Sequence, residues 1–132
     1  METIQQLKNL RQNMQMLNFN VCKQELNDKT KTMTTRQDDI TRFNKGDYIR
    51  MIWKGKEEIG IVRITKIIKI KVQRKDMGID YINNEYAFLY PNIMEIVRRE
   101  GFDTINDYFD TLHKFYNILK KKTMHIYSWR WV

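Results

Sequence analysis

The 132-residue chain contains one cysteine, one proline, five glycines and two histidines. A lone cysteine, Cys22, excludes an internal disulfide framework and a four-cysteine zinc site. His113 and His125 stand far apart and in no paired-ligand spacing, so no metal and no cofactor is expected. The glycines are scattered singly, which excludes a phosphate-cradling glycine loop. No apolar run approaches the roughly 20 residues that span a bilayer, so no membrane partner is expected. The opening Met-Glu-Thr-Ile-Gln-Gln-Leu lacks a basic region followed by an apolar stretch, so it does not read as a secretory signal. These absences predict a cytoplasmic, soluble single domain, as a monomer or weak homodimer.

Positive charge is abundant. Lys and Arg number 24 against 16 Asp and Glu, a formal net charge of +8. The excess is concentrated. Arg63, Lys66, Lys69, Lys71, Arg74 and Lys75 follow one another with no acid between them. Such a field attracts polyanions, which makes Arg63, Lys66, Lys69 and Lys71 the candidate nucleic-acid-binding residues. A solvated basic surface that only maintains solubility explains the same charges. Lys120 to Lys122 form a second cluster, for which complementing a helix C-terminus is a sufficient structural reason. Hydrophobic residues at 42% and aromatics at 12% argue against disorder.

Periodicity predicts an α+β chain. Residues 3–17 read as an amphipathic helix, residues 17–20 as a strand, and residues 21–27 as a short helix that Asn27 or Asp28 ends. Strands are expected over 30–36, 48–54 and 59–72, the last with a bulge or bend near Ile67-Ile68 where its period slips. Residues 73–90 read as irregular. Pro91 suits the first position of a helix running to Glu100, which Gly101 stops. Thr104 to Asp107 resembles a capping box, and Ile105, Tyr108, Phe109, Leu112, Phe115, Tyr116 and Leu119 mark one long helical face. Residues 124–132 alternate as a closing strand. Trp129 and Trp131 share one side of it, where core packing is a commoner use than base stacking.

The chemically informative segment is Lys31-Thr32-Met33-Thr34-Thr35-Arg36. On a strand Thr32, Thr34 and Arg36 share a face, while Lys31 lies on the opposite parity. Lys31 meets Thr34 only from a turn before the strand. The result is an anion-friendly patch; a threonine-rich edge strand with exposed charges fits the pattern equally well.

The order of motifs adds to this patch. Lys-Thr-x-Thr-x-Arg is followed by Lys45-Gly46-Asp47-Tyr48-Ile49, the Ile-Val-Arg-Ile-Thr-Lys-Ile strand, Glu100-Gly101-Phe102-Asp103-Thr104 and a Tyr/Phe-rich helix. This order resembles the ASCH domain of the PUA-like superfamily over residues 17–132, with residues 1–16 as an N-terminal helical extension. The position two before the motif lysine, usually glycine in that family, is Lys29 here. The resemblance implies a small curved β-barrel with helices packed over one side. One small bacterial branch hydrolyses N(4)-acetylcytidine to cytidine and acetate. By that resemblance Thr34 is the nucleophile, Lys31 its base, and Glu100 the positioning or proton-relaying group. Arg36, Thr32 and Trp53 become the expected substrate-binding residues.

A free lysine titrates near ~10.4 and is a poor base at neutral pH. Burial and the cations Arg36 and Lys29 lower that value, and Glu100 raises it. Other branches of the superfamily bind RNA or modified bases without chemistry, and one ASCH branch is associated with ribonuclease activity. The expected partner is therefore a modified nucleoside or RNA. An amidohydrolase ranks first and a nucleic-acid-binding module second. A phage or mobile-element protein that binds a host protein is a third reading, which rests only on the N-terminal helix.

Overall fold

The computed structural model describes residues 14–37, 42–82 and 91–132. The chain builds β1 (Gln15–Phe19), α1 (Lys23–Asn27), β2 (Met33–Arg36), β3 (Tyr48–Trp53) and β4 (Glu57–Gln73). A 3-10 turn (Arg74–Asp76), β5 (Gly78–Tyr81), α2 (Ile93–Arg99), α3 (Ile105–Tyr116) and β6 (Lys122–Trp131) follow. The described residues form a mixed α+β fold with a six-stranded open sheet and three α-helices.

The sheet is ordered β1-β3-β4-β6-β2, with β5 also paired to β4. β1 runs parallel to β3, and the other pairings are antiparallel. The 17-residue β4 is the spine. Its first half pairs with β3, its last residues pair with β5, and β6 runs along the other edge. The register with β6 shifts between Ile64 and Lys66, slightly before the slip expected at Ile67-Ile68. A bulge inverts the facing of everything after it. Val62, Ile64 and Ile67 thus share one core with Leu17, Ile49, Met51, Tyr127 and Trp129. Ile68, Ile70 and Val72 enter a second core on the opposite face, beneath Ile96 and Val97 of α2 and Tyr108, Phe109 and Leu112 of α3.

The closed barrel expected from the family resemblance is not formed. β1 and β2 are the two ends of the strand order, and no backbone ladder joins them. Twist and bulges bring these ends close together. The Arg36 guanidinium spans the gap, donating to the Asn18 carbonyl at 2.9 Å and lying 4.8 Å from the Phe19 ring centroid.

Several boundaries differ from the sequence reading. Of the helix expected over 3–17, residues 1–13 lie outside the described residues, while Gln15 and Met16 belong to β1, paired with Ile49 and Arg50. The N-cap of α2 is Asn92, whose side chain accepts from the Glu95 amide, so Pro91 precedes the cap. Thr104 caps α3 as expected, accepting from the Asp107 amide at 3.1 Å. That helix ends at Tyr116, where Asn117 turns left-handed at φ 52°, so Leu119 is outside it. Lys120 to Lys122 consequently lie beyond the last turn, and Lys121 pairs with Asp80 at 3.0 Å. The irregular stretch after Gln73 contains β5, hidden by its four-residue length; residues 83–90 lie outside the described residues. Among the described residues no helix is long and apolar enough to cross a membrane.

Candidate active site

A pocket of about 90 Å³ lies beside the seam between β1 and β2. The end of β1, the segment into and along β2, the residues after α2 and one face of α3 line it. Lys31, Thr34, Arg36 and Glu100 all contribute, together with Thr35 and the aromatic side chains of Phe19, Phe102, Phe115 and Tyr116.

Lys31 reaches the pocket from a turn before β2. The backbone reverses at Lys29, which holds φ 63° where the family resemblance expects glycine. A non-glycine residue in this region costs roughly 1 kcal/mol. Local contacts offset that cost: the Lys29 ammonium donates to the Ile59 carbonyl at 3.0 Å and sits 4.1 Å from the Trp131 ring centroid. The turn ends in a fixed frame. The amides of Thr30 and Lys31 donate to the Glu25 carbonyl, and the Thr32 amide donates to the Arg99 carbonyl at 2.7 Å. The Lys31 carbonyl accepts from both indole nitrogens, Trp129 at 3.1 Å and Trp131 at 2.9 Å. The two tryptophans on one side of β6 therefore clamp the backbone of Lys31. Trp129 is buried in the core and presents no stacking face.

The Lys31 side chain is buried, with its ammonium donating to the Glu100 carbonyl at 2.5 Å. Phe19 and Phe102 flank the ammonium, at 5.5 Å and 5.9 Å from their ring centroids. Burial depresses the lysine below its ordinary value, against the opposing pull of Glu100. Glu100 sits at the end of α2, and Gly101 follows it at φ 95°. A Cβ on Gly101 would come within 3.1 Å of Glu25 Cβ and 3.2 Å of Cys22 Cβ, so glycine permits α1 to pack against this corner.

The Glu100 carboxylate turns toward β2. One oxygen accepts from the Thr35 amide at 2.9 Å, the other from the Thr35 hydroxyl at 2.6 Å. That hydroxyl also lies 2.8 Å from the buried Tyr108 hydroxyl. Burial raises the Glu100 carboxyl, while Lys31 and the Thr35 bonds oppose the rise. Burial also pushes the Tyr108 phenol well above its ordinary value, with Glu100 adding to the shift. Thr34 lies on the other face of β2, beside Arg36, whose Nε donates to its hydroxyl at 3.1 Å. The Thr34 oxygen thus accepts one bond and keeps its own proton to donate.

The pocket collects only part of the residue set expected from sequence. Thr32 is turned to Arg99, accepting from its Nε at 2.8 Å, and does not line the pocket. Trp53 ends β3 away from it, with the Lys23 and Lys54 ammonium groups near its ring. The four basic residues of β4 do not form one face. By strand parity across the bulge, Lys69 and Lys71 share the side of Ile67, whereas Arg63 and Lys66 share the opposite side. Arg63 lies against Tyr48, 5.6 Å from its ring centroid. Thr35 and Tyr108 were not singled out from sequence. Strand alternation separates Thr34 from Thr35 but cannot show which of them faces Glu100, and Tyr108 reads as one more apolar-face position of its helix. Among the described residues no group of three or more His, Cys, Asp or Glu side chains is placed to hold a metal.

The fold has a solved counterpart. Protein EF3133 from Enterococcus faecalis V583, described under the family model DUF984, superposes with a TM-score of 0.60 at 14% sequence identity. The match covers 96% of this chain and 85% of that one. At this identity the likeness concerns the fold. No family model matches the chain, and no curated protein matches it.

Proposed function

We propose that the protein is an ASCH-like amidohydrolase that removes the acetyl group from an N(4)-acetylated cytosine nucleoside. The observation that carries this reading is the sharing of one pocket by Lys31, Thr34 and Glu100, with the lysine buried and depressed. A neutral amine is the species able to take a proton from a threonine hydroxyl. In the proposed reaction Thr34 Oγ1 attacks the acetyl carbon as Lys31 removes its proton. The carbon–nitrogen bond then breaks, and Lys31 returns the proton to the departing N4 amine. Water, activated by the same lysine, hydrolyses the threonyl ester and releases acetate. Arg36, already bonded to Thr34, lies where negative charge develops on the carbonyl oxygen. Glu100 holds the lysine through its backbone carbonyl. The aromatic side chains around the pocket suit a planar base, with the acyl end innermost.

The test is acetate release from N(4)-acetylcytidine. Wild-type protein is expected to turn it over, whereas folded Lys31→Ala and Thr34→Ala proteins lose at least 100-fold in rate. No release by wild-type protein at high concentration overturns the reading for this substrate. RNA affinity that falls steeply with salt and with Lys69→Ala/Lys71→Ala, in the absence of hydrolysis, would establish the nucleic-acid-binding alternative.

A further inference from the structure

Hydrogen-bond supply in the pocket is one-sided. Lys31 carries three N–H donors as an ammonium or two as an amine, and one goes to the Glu100 carbonyl. Arg36 carries five, of which Nε meets Thr34, one Nη2 proton meets Asn18 and a further one meets the Tyr116 hydroxyl, which leaves two. The hydroxyl proton of Thr34 is a further donor. The obvious acceptor, the Glu100 carboxylate, already receives the Thr35 amide on one oxygen and the Thr35 hydroxyl on the other. Charge is one-sided as well. Lys31 and Glu100 sum to zero both as ammonium with carboxylate and as amine with carboxylic acid. The Arg36 guanidinium remains, and among the described residues no carboxylate stands within ion-pair distance of it. A ligand that completes this pocket brings acceptors and a negative charge. A carboxylate supplies both, with the planar two-oxygen shape that a guanidinium matches.

We propose that Lys31, Thr34 and Arg36 form a binding site for a short-chain carboxylate, and that acetate, the last product of the proposed reaction, rebinds there and inhibits it. The kinetic half of this inference rests on the amidohydrolase reading; the binding half does not. The methyl group lies toward Phe19 and Phe102, whose rings already flank Lys31. A donor-rich wall next to an apolar one suits acetate or propionate better than a spherical halide.

The experiment titrates the wild-type protein with sodium acetate, with sodium chloride lowered to keep ionic strength constant, and follows amide and side-chain NMR shifts. Saturable shifts centred on Lys31, Thr34 and Arg36 are expected. Arg36→Lys, which keeps the charge but loses the planar fork, is expected to bind at least tenfold more weakly. Arg36→Met is expected to abolish binding; because Arg36 also spans the seam, the lysine variant guards against a folding defect. Linear shifts spread over the surface, or equal shifts with chloride, overturn the site. In turnover, acetate raises the apparent KM without changing kcat. A site that binds acetate in a protein that never hydrolyses N(4)-acetylcytidine defeats the enzymatic reading alone. Hydrolysis without saturable acetate binding defeats the present inference alone.

Discussion

The two faces of β2 are adjacent in sequence and different in character. Met33 and Thr35 point to the helix-covered side: Met33 joins an apolar core with Ile68, Ile126, Ile96 and Phe109, while Thr35 meets Glu100 and Tyr108. Thr34 and Arg36 point to the seam side. The apolar core gains stability from area removed from water, at about 25 cal/mol per Å². The polar cluster a few ångströms away has to offset the desolvation of an amine, a carboxyl and a phenol with hydrogen bonds. A small domain that keeps such groups buried holds them in defined positions at some expense of stability, and that is the condition a reactive lysine needs.

The largest expected effect breaks the apolar side. Phe109→Ala removes a fully buried ring of α3 and is expected to cost about 3–5 kcal/mol, read from the urea midpoint. A loss below about 1 kcal/mol would mean that the helices contribute little to this core.

A smaller effect separates the two threonines. Thr35→Val keeps shape but removes the hydroxyl that bonds both a Glu100 oxygen and the Tyr108 hydroxyl, for an expected loss of about 1–3 kcal/mol. Thr34→Val removes only an acceptor for Arg36, which is half-buried, and is expected to cost less than about 1 kcal/mol and, under the proposed reaction, to abolish acetate release. Equal destabilisation by the two substitutions would erase the distinction between a structural and a reactive threonine.

The smallest effect is a pH slope. The native Glu100 carboxyl lies above its ordinary value of 4.5, so between those values the native state retains a proton that the unfolded chain has lost. Stability therefore falls as pH rises through that window. Lys31, depressed from 10.5, acts oppositely at the alkaline end: there the unfolded chain holds the extra proton, and stability rises with pH. Urea midpoints measured across pH should show the acid-side fall in wild-type protein and its absence in Glu100→Gln. A fall of the same size in Glu100→Gln would assign it to other carboxyls.

Much of the fold was legible where one physical signal dominated. The apolar spacing of α3 and the Thr104 cap were readable because a helix buries one face and needs its first amides satisfied. The β-branched run of β4 announced a long strand, and its broken alternation announced a bulge. The end of α3 was not readable: Leu119 continues the helical spacing, but Asn117 turns the chain left-handed before it. β5 and the strand character of Gln15 and Met16 escaped because short pairings draw their stability from a neighbouring strand rather than from local pattern.

The candidate site divides along the same line. The residue types at Lys31, Thr34, Arg36 and Glu100, their order, and the need for a turn before β2 follow from the sequence by itself, because parity on a strand is a local property. Which side chains converge was decided by tertiary structure. Glu100 stands 69 positions from Lys31 and meets it only because α2 docks over β2. The bulge in β4 separated four basic residues that look continuous in sequence. The αL turn at Lys29 is held by Ile59 and Trp131, contacts distant along the chain, so a residue with no intrinsic preference for that conformation adopts it. The choice of Thr35 over Thr34 as the partner of Glu100 likewise depends on which face of a four-residue strand the helices cover.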